Sequence, residues 1–352
     1  GYNGVIFSGF KNGETPSSLD LSQLTVTRTN ITVNGVNPSY VGVLMPSGAN
    51  SNNYGFQYQP GNYSILGVGQ LLVKVAPVIN QYGSPISYGT PVVTYIAAGS
   101  NQVTTIASGN ITFNQPNIVS ISDNGSNFSV NLNVLNPQNS ASGNLSVGSY
   151  QLSSAAQAVT ASDYTSATVV GGVTVTPKVL SFASGNSSTS LVISGVTKVY
   201  DGLTTMSGLN LSTGTGVFLG NGASADRVST VANGAFVDKN VGTNKGYTVG
   251  VTFTGADAAN YVISGGGVYT ADNSPNPANG AITQLNSVTY VGTPSGGAWS
   301  DPNSWRATNG AVLGAVPDAT IQNNNIVNNV ANIIVPTGNT VVYDAGVSNA
   351  AM

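Results

Sequence analysis

Apolar and polar residues alternate along most of this chain, and the alternation is interrupted at short intervals by Gly, Pro, Asn and Asp. The clearest run puts Tyr247, Val249, Val251 and Phe253 on one side and Thr248, Gly250, Thr252 and Thr254 on the other. A period of two sends successive side chains to opposite faces, so the run predicts a half-buried antiparallel strand. Val196, Lys198 and Tyr200 alternate in the same way, as do residues 24–27 and 31–33, and Asn34-Gly35 is a hairpin signal. Asp201-Gly202 and Asn240-Val241-Gly242 read as turns, in which Gly supplies positive φ and the Asp or Asn side chain bonds its own backbone. Residues 153–161 also fit one helical turn.

Composition narrows the picture. The 352 residues allow two to four domains, and the regular Gly and Pro punctuation favours several small ones. Only 6% of residues are charged, against roughly 25% in ordinary soluble chains. Asn, Ser, Thr and Gly take their place, which suits a β-protein working outside the cell. Nine Lys and Arg residues against twelve acids give a net charge of −3. That balance builds no cationic track for phosphate backbones, so no nucleic-acid partner is expected. No apolar run approaches the roughly 20 residues of a spanning helix. Gly1 is followed by no signal-like core, which reads as a mature portion or an internal fragment. The chain has no Cys, consistent with passage unfolded through an oxidising compartment.

Three blocks stand apart from this background: Lys198, Tyr200, Asp201 and Gly202; then Asp238, Lys239, Asn240 and Gly242; then Asp257, Asn260 and Tyr261. In order, spacing and identity this stretch resembles a YDG-type module, a β-rich repeat of large bacterial surface and secreted proteins. Residues 52–65, with Asn53-Tyr54, an alternating aromatic strand and the Pro60-Gly61 turn, resemble the close of the related MBG-type repeat. Residues 82–91 resemble its Tyr-Gly opening. Setting Tyr54, Tyr164 and Tyr261 in register gives a repeat of about 100 residues, as expected of tandem sandwich-sized modules. Gly296 to Trp305, followed by Gly314 to Asp318, resembles a Trp-containing element that introduces β-helical stretches in secreted passengers.

The expected organisation is therefore all-β, with tandem small β-sandwich modules, Ig-like or β-grasp-like, followed by a β-solenoid segment. Residues 1–77 form a partial MBG-like module, 78–178 an MBG-like module, 179–285 a YDG-like module and 286–352 a Trp-containing segment that starts a β-helix. Resemblance to filamentous-haemagglutinin-like adhesins implies a non-enzymatic stalk or fibre segment on or outside a Gram-negative cell. It implies export through an outer-membrane two-partner transporter, contact with host or bacterial glycans or matrix, and self-association into filaments. The alternative is a carbohydrate-binding module or carbohydrate-active enzyme using Asp pairs or the Trp299 and Trp305 region.

Candidate chemistry is sparse. Without His or Cys, hydrolase triads, cysteine dyads and the usual zinc sets are excluded. The chain has one Glu, Glu14, and eleven Asp, mostly in turns, which favours structural roles over a glycosidase pair. Gly265-Gly266-Gly267 lacks the Lys and helix of a phosphate loop. Asp201, Asp238 and Asp257 are candidate Ca²⁺ ligands, but the turn sequences around them favour turn stabilisation. No cofactor is expected. Lys198 and Lys239 are candidates for an intramolecular isopeptide bond, which needs a Lys beside an Asn and an acid. Trp299, Trp305, Tyr200, Tyr247 and Tyr261 are favoured as core over sugar platforms. The sequons at Asn30, Asn62, Asn110, Asn127 and Asn210 match the glycan acceptor pattern.

Overall fold

The computed structural model describes residues 5, 7, 9, 10, 14, 16–29, 39–65, 67–97, 99, 100, 102–182, 188–206, 208–214, 216–271, 280–307, 310, 313, 316–322 and 325–344. The protein is all-β, built from many small sheets. The described residues include short 3-10 turns but no α-helix, so the helix of a β-grasp is not among them.

Contacts divide the chain into two units. The first holds residues 1–179, 219–227 and 259–262; the second holds 180–218, 228–258 and 263–352. Of the expected segments 1–77, 78–178, 179–285 and 286–352, the third contributes residues 219–227 and 259–262 to the first unit.

In the first unit, Gln70–Lys74 runs parallel to Ser166–Val170, inside a five-stranded sheet completed by Gln157–Ala158, Val92–Ile96 and Val103–Thr105. Val78–Gln81 runs parallel to Gly172–Thr176, which also pairs with Gly148–Gln151. Parallel neighbours need a long crossover, so each pairing ties together stretches distant in sequence. Leu71, Val73, Val93, Ala167, Val169 and Val173 are fully buried between these strands and their cover. Ile111–Gln115, Ile118–Asp123 and Ser126–Asn131 form a meander, and Thr25–Arg28, Ser39–Ser47 and Gly61–Ser64 a further three-stranded sheet.

The second unit repeats the device. Thr197–Val199 runs parallel to Gly280–Thr283, which also pairs with Gly242–Lys245. The amide of Tyr200 then donates to Thr283 O at 2.8 Å, just as that of Tyr82 donates to Thr176 O at 2.8 Å in the first unit. Left-handed Gly202 (φ 80°) and Gly83 (φ 81°) follow these tyrosines. Ser229–Phe236, Tyr247–Thr254 and Val268–Ala271 form an antiparallel sheet in which Tyr247, Val249 and Val251 are buried and Thr248, Thr252 and Thr254 exposed. The predicted alternation is met there.

Several local expectations are corrected. Residues 54–60 lie outside strands; Phe56 stacks on Tyr58 at 6.2 Å, and the Tyr58 hydroxyl meets the Ala49 backbone. Residues 153–161 form no helical turn. Gln157–Ala158 is a short strand, held because the Gln157 amide exchanges two 2.8 Å hydrogen bonds with the Asn131 backbone. Gly242 opens a strand, and the left-handed residue nearby is Asn244 (φ 55°). The turn before it is closed instead by the Asp238 carboxylate, which accepts the Asn240 amide at 2.8 Å.

No solenoid forms among the described residues of the C-terminal segment. Leu285–Tyr290 and Val330–Ile334 are parallel, as are Gly297–Ala298 and Val341–Val342. Trp305–Ala307, however, is antiparallel to Leu285–Tyr290, and Ala319–Gln322 forms a hairpin with Asn325–Asn328. Such reversals break the one-way stacking that coils require. The strand at 31–33 and the Asn34-Gly35 turn lie outside the described residues.

Candidate functional site

Three buried polar sites gather most of the motif residues. The first centres on Lys198, 7% exposed in the middle of Thr197–Val199. Its Nζ donates to Asp201 Oδ1 at 2.6 Å, to Leu203 O at 2.6 Å and to Thr205 O at 2.8 Å. Asp201 also accepts the Leu203 amide at 2.9 Å. A Lys ammonium has three donors, and all three are used here. The site clamps residues 201–205 to the strand.

The second site, in the first unit, centres on Asp226, 6% exposed. Tyr82 and Tyr261 each donate a hydroxyl to its Oδ2 at 2.5 Å, and the Ser142 amide donates to Oδ1 at 3.0 Å. The two rings pack edge-on at 5.4 Å, and Tyr82 also lies 2.6 Å from Ser140 Oγ. Beside them the Val147 amide donates to Oδ1 of Asn260 at 2.8 Å. Burial pushes Asp226 up, but hydrogen bonds from Tyr261, Tyr82, Ser142 and Ser140 together outweigh it and hold the carboxyl below its ordinary value. Tyr261 and Tyr82 are pushed up, first by burial and then by donating to a carboxylate.

The third site, in the second unit, has the same parts. Tyr200 donates to Oδ1 of Asp318 at 2.9 Å, and the Val241 amide donates to Oδ1 of Asn329 at 2.7 Å. Asn329 is fully buried; its Nδ2 donates to Asp318 Oδ1 at 2.6 Å and to Asn240 Oδ1 at 3.1 Å. In both sites a tyrosine that follows a parallel strand ends on an Asp far along the chain. In both, the amide of a Val-Gly pair, Val147-Gly148 or Val241-Gly242, ends on an Asn side chain. In the third site Lys239 Nζ lies 2.7 Å from Asp318 Oδ2 and 3.4 Å from the Tyr200 hydroxyl. Burial, then the Asp318 charge, pushes Tyr200 up.

Of the predicted residues, Lys198, Tyr200, Asp201, Lys239, Asn240, Asn260 and Tyr261 therefore take part in these sites. Gly202 supplies a turn, Asp238 pairs with Lys245 at 2.6 Å, and Asp257 is buried. Asp201, Asp238 and Asp257 do not converge; among the described residues no three His, Cys, Asp or Glu side chains group as a metal site. The three tyrosines set in register share one chemistry. Tyr54 donates to Glu14, Tyr164 to Asp123 at 3.1 Å, and Tyr261 to Asp226.

Sequence reasoning missed Asp226 and Asn329 and gave Asp318 no role. Their partners lie from 11 to 144 positions away, beyond the reach of any local pattern. Trp299 and Trp305 are core: their rings meet at 4.9 Å, Trp305 is fully buried, and each indole N–H donates to a backbone carbonyl at 3.1 Å. Tyr200, Tyr247 and Tyr261 are also buried, so none of these rings offers a sugar platform. Asn110, Asn127 and Asn210 are exposed, whereas Asn30 lies outside the described residues.

Residues 176–271 match the YDG domain. No curated protein and no solved structure matches the chain.

Proposed function

We propose that this chain is a structural segment of a large secreted or cell-surface bacterial adhesin, of the filamentous-haemagglutinin-like kind, and that its β-segments serve as a stalk for adhesion, aggregation or biofilm. The observation that carries this reading is where the YDG motif side chains end. Tyr200, Lys239, Asn260 and Tyr261 bond to other parts of the protein's own chain, in sites that hold stretches distant in sequence together, and Lys198 fastens the turn that follows its own strand. Such a motif resists separation of its segments and needs no small ligand. A surface wetted mainly by Asn, Ser and Thr fits work outside the cell, with export through an outer-membrane two-partner transporter and glycan or matrix as the contact.

The test is performed on the source bacterium. Antibodies raised against the chain should label intact cells, and deleting its coding segment should reduce aggregation or attachment. Label that appears only after permeabilisation would sink the proposal.

A further inference from the structure

The two Tyr–Asp–Asn sites differ in the residue that stands shortly before the Val-Gly pair. In the Asp226 site, the residue two positions before the Val-Gly pair is Leu145; in the Asp318 site it is Lys239. We infer that the Asp318 site is built to join Lys239 to Asn329 through an intramolecular isopeptide bond, with Asp318 as the proton carrier.

The geometry supplies each part. One carboxylate holds both reacting nitrogens, Lys239 Nζ on Oδ2 at 2.7 Å and Asn329 Nδ2 on Oδ1 at 2.6 Å. Proximity of this kind turns an amide exchange that is very slow in water into an intramolecular step. The Val241 amide, 2.7 Å from Oδ1 of Asn329, points at the oxygen on which negative charge develops. Asn329 is immobilised through its backbone as well: its amide donates to Asp318 O at 3.0 Å and its carbonyl accepts from Leu285 at 3.1 Å. The Lys239 side chain is 32% exposed and that of Asp318 15%, so the lysine stem is free to swing Nζ from Oδ2 onto Cγ. Tyr200, donating to Asp318 Oδ1 at 2.9 Å, keeps the carboxylate oriented.

Asp318 takes one proton from the Lys239 ammonium, and the amine lone pair forms the Nζ–Cγ bond as the C=O pair moves to Oδ1 of Asn329. Asp318 returns its proton to Nδ2 and takes the second from Nζ. The C=O reforms, the Cγ–Nδ2 bond breaks, and ammonia leaves with the proton that Asp318 then gives up. The net change is an ammonium and a carboxamide becoming a secondary amide and an ammonium ion. No oxidant, metal or cofactor is required. Lys198 does not share this chemistry, because its three donors are taken by Asp201 and two backbone carbonyls.

Intact mass of the denatured full chain is the test. The bond lowers it by about 17 Da, one ammonia, and proteolysis should yield a branched peptide linking Lys239 to Asn329. A succinimide at an Asn-Gly pair loses the same mass, so Lys239→Arg is the discriminating variant. It keeps the cation on Asp318, and it should restore the full mass. Asn329→Ala should do the same. Full mass in the wild-type chain after prolonged incubation in the folded state overturns the inference. So does a lowered mass that persists in Lys239→Arg, or a mass raised by about 1 Da from hydrolysis of the Asn329 amide. Each result leaves the stalk reading in place, since the noncovalent contacts remain.

Discussion

Replacing Asp226 with Ala removes the acceptor shared by three donors: the buried hydroxyls of Tyr82 and Tyr261 and the half-buried Ser142 amide. A buried donor left unpaired costs about 1–3 kcal/mol. Tyr82 retains Ser140 as a partner at 2.6 Å and the Ser142 amide is half-buried, so the loss approaches one full penalty and parts of two more, about 2–5 kcal/mol. With a urea dependence of about 2–3 kcal/mol per M, the unfolding midpoint falls by about 1–3 M. Far-UV circular dichroism in urea measures it, and faster amide exchange at Ser142, Val147 and Leu219, whose amide donates to the Tyr261 hydroxyl at 2.8 Å, locates it. The sharper test is a cycle with Tyr82→Phe and Tyr261→Phe. Each should destabilise the wild type; once Asp226 is Ala, Tyr261→Phe should become neutral or stabilising, because its hydroxyl has lost the carboxylate, while Tyr82→Phe should keep only the smaller cost of its bond to Ser140. Additive losses, or a total below about 0.5 kcal/mol, would refute the assignment of Asp226 as the hub of this site.

The same carboxyl sets an acid limit. Its folded value lies below its unfolded one, near 3.9, so its stabilisation is complete above that value and is lost as pH falls through the folded one; Asp226→Asn should flatten this limb of a stability–pH curve. At the alkaline end, Tyr82, Tyr164, Tyr200 and Tyr261 are all pushed up. Their contribution is complete below about pH 10 and declines above it, so phenolate absorbance should rise in two stages, the second coinciding with unfolding. Lys198→Met strands the Leu203 and Thr205 carbonyls, while water takes over the half-exposed Asp201; a loss of about 2–3 kcal/mol in thermal or urea unfolding is expected. Gly195→Ala at φ +69° drives a Cβ into the Gly208 carbonyl, a backbone atom with nowhere to go. It should cost about 2 kcal/mol or more and lower the melting temperature; an unchanged value would contradict the turn.

What the sequence determined by itself was local. Alternation at 247–254 specified a strand and its buried face, because side-chain direction in a strand depends only on position parity. Gly after Asp201 specified a left-handed turn, because φ is a property of one residue. The recurrence of an Asn-Tyr or Asp-Tyr pair marked Tyr54, Tyr164 and Tyr261, and each proved to donate to a carboxylate. The identity of those carboxylates was a tertiary matter. So was the pairing of Thr197–Val199 with Gly280–Thr283, and the meeting of Lys239 with Asp318 and Asn329. A parallel pair and a buried ion cluster are closed by crossovers of many residues, and nothing in the composition of those loops says where their ends will meet. Gly242 shows the converse: its turn-like neighbourhood was legible, but a side-chain bond from Asp238 closed the turn first and left the glycine to begin a strand.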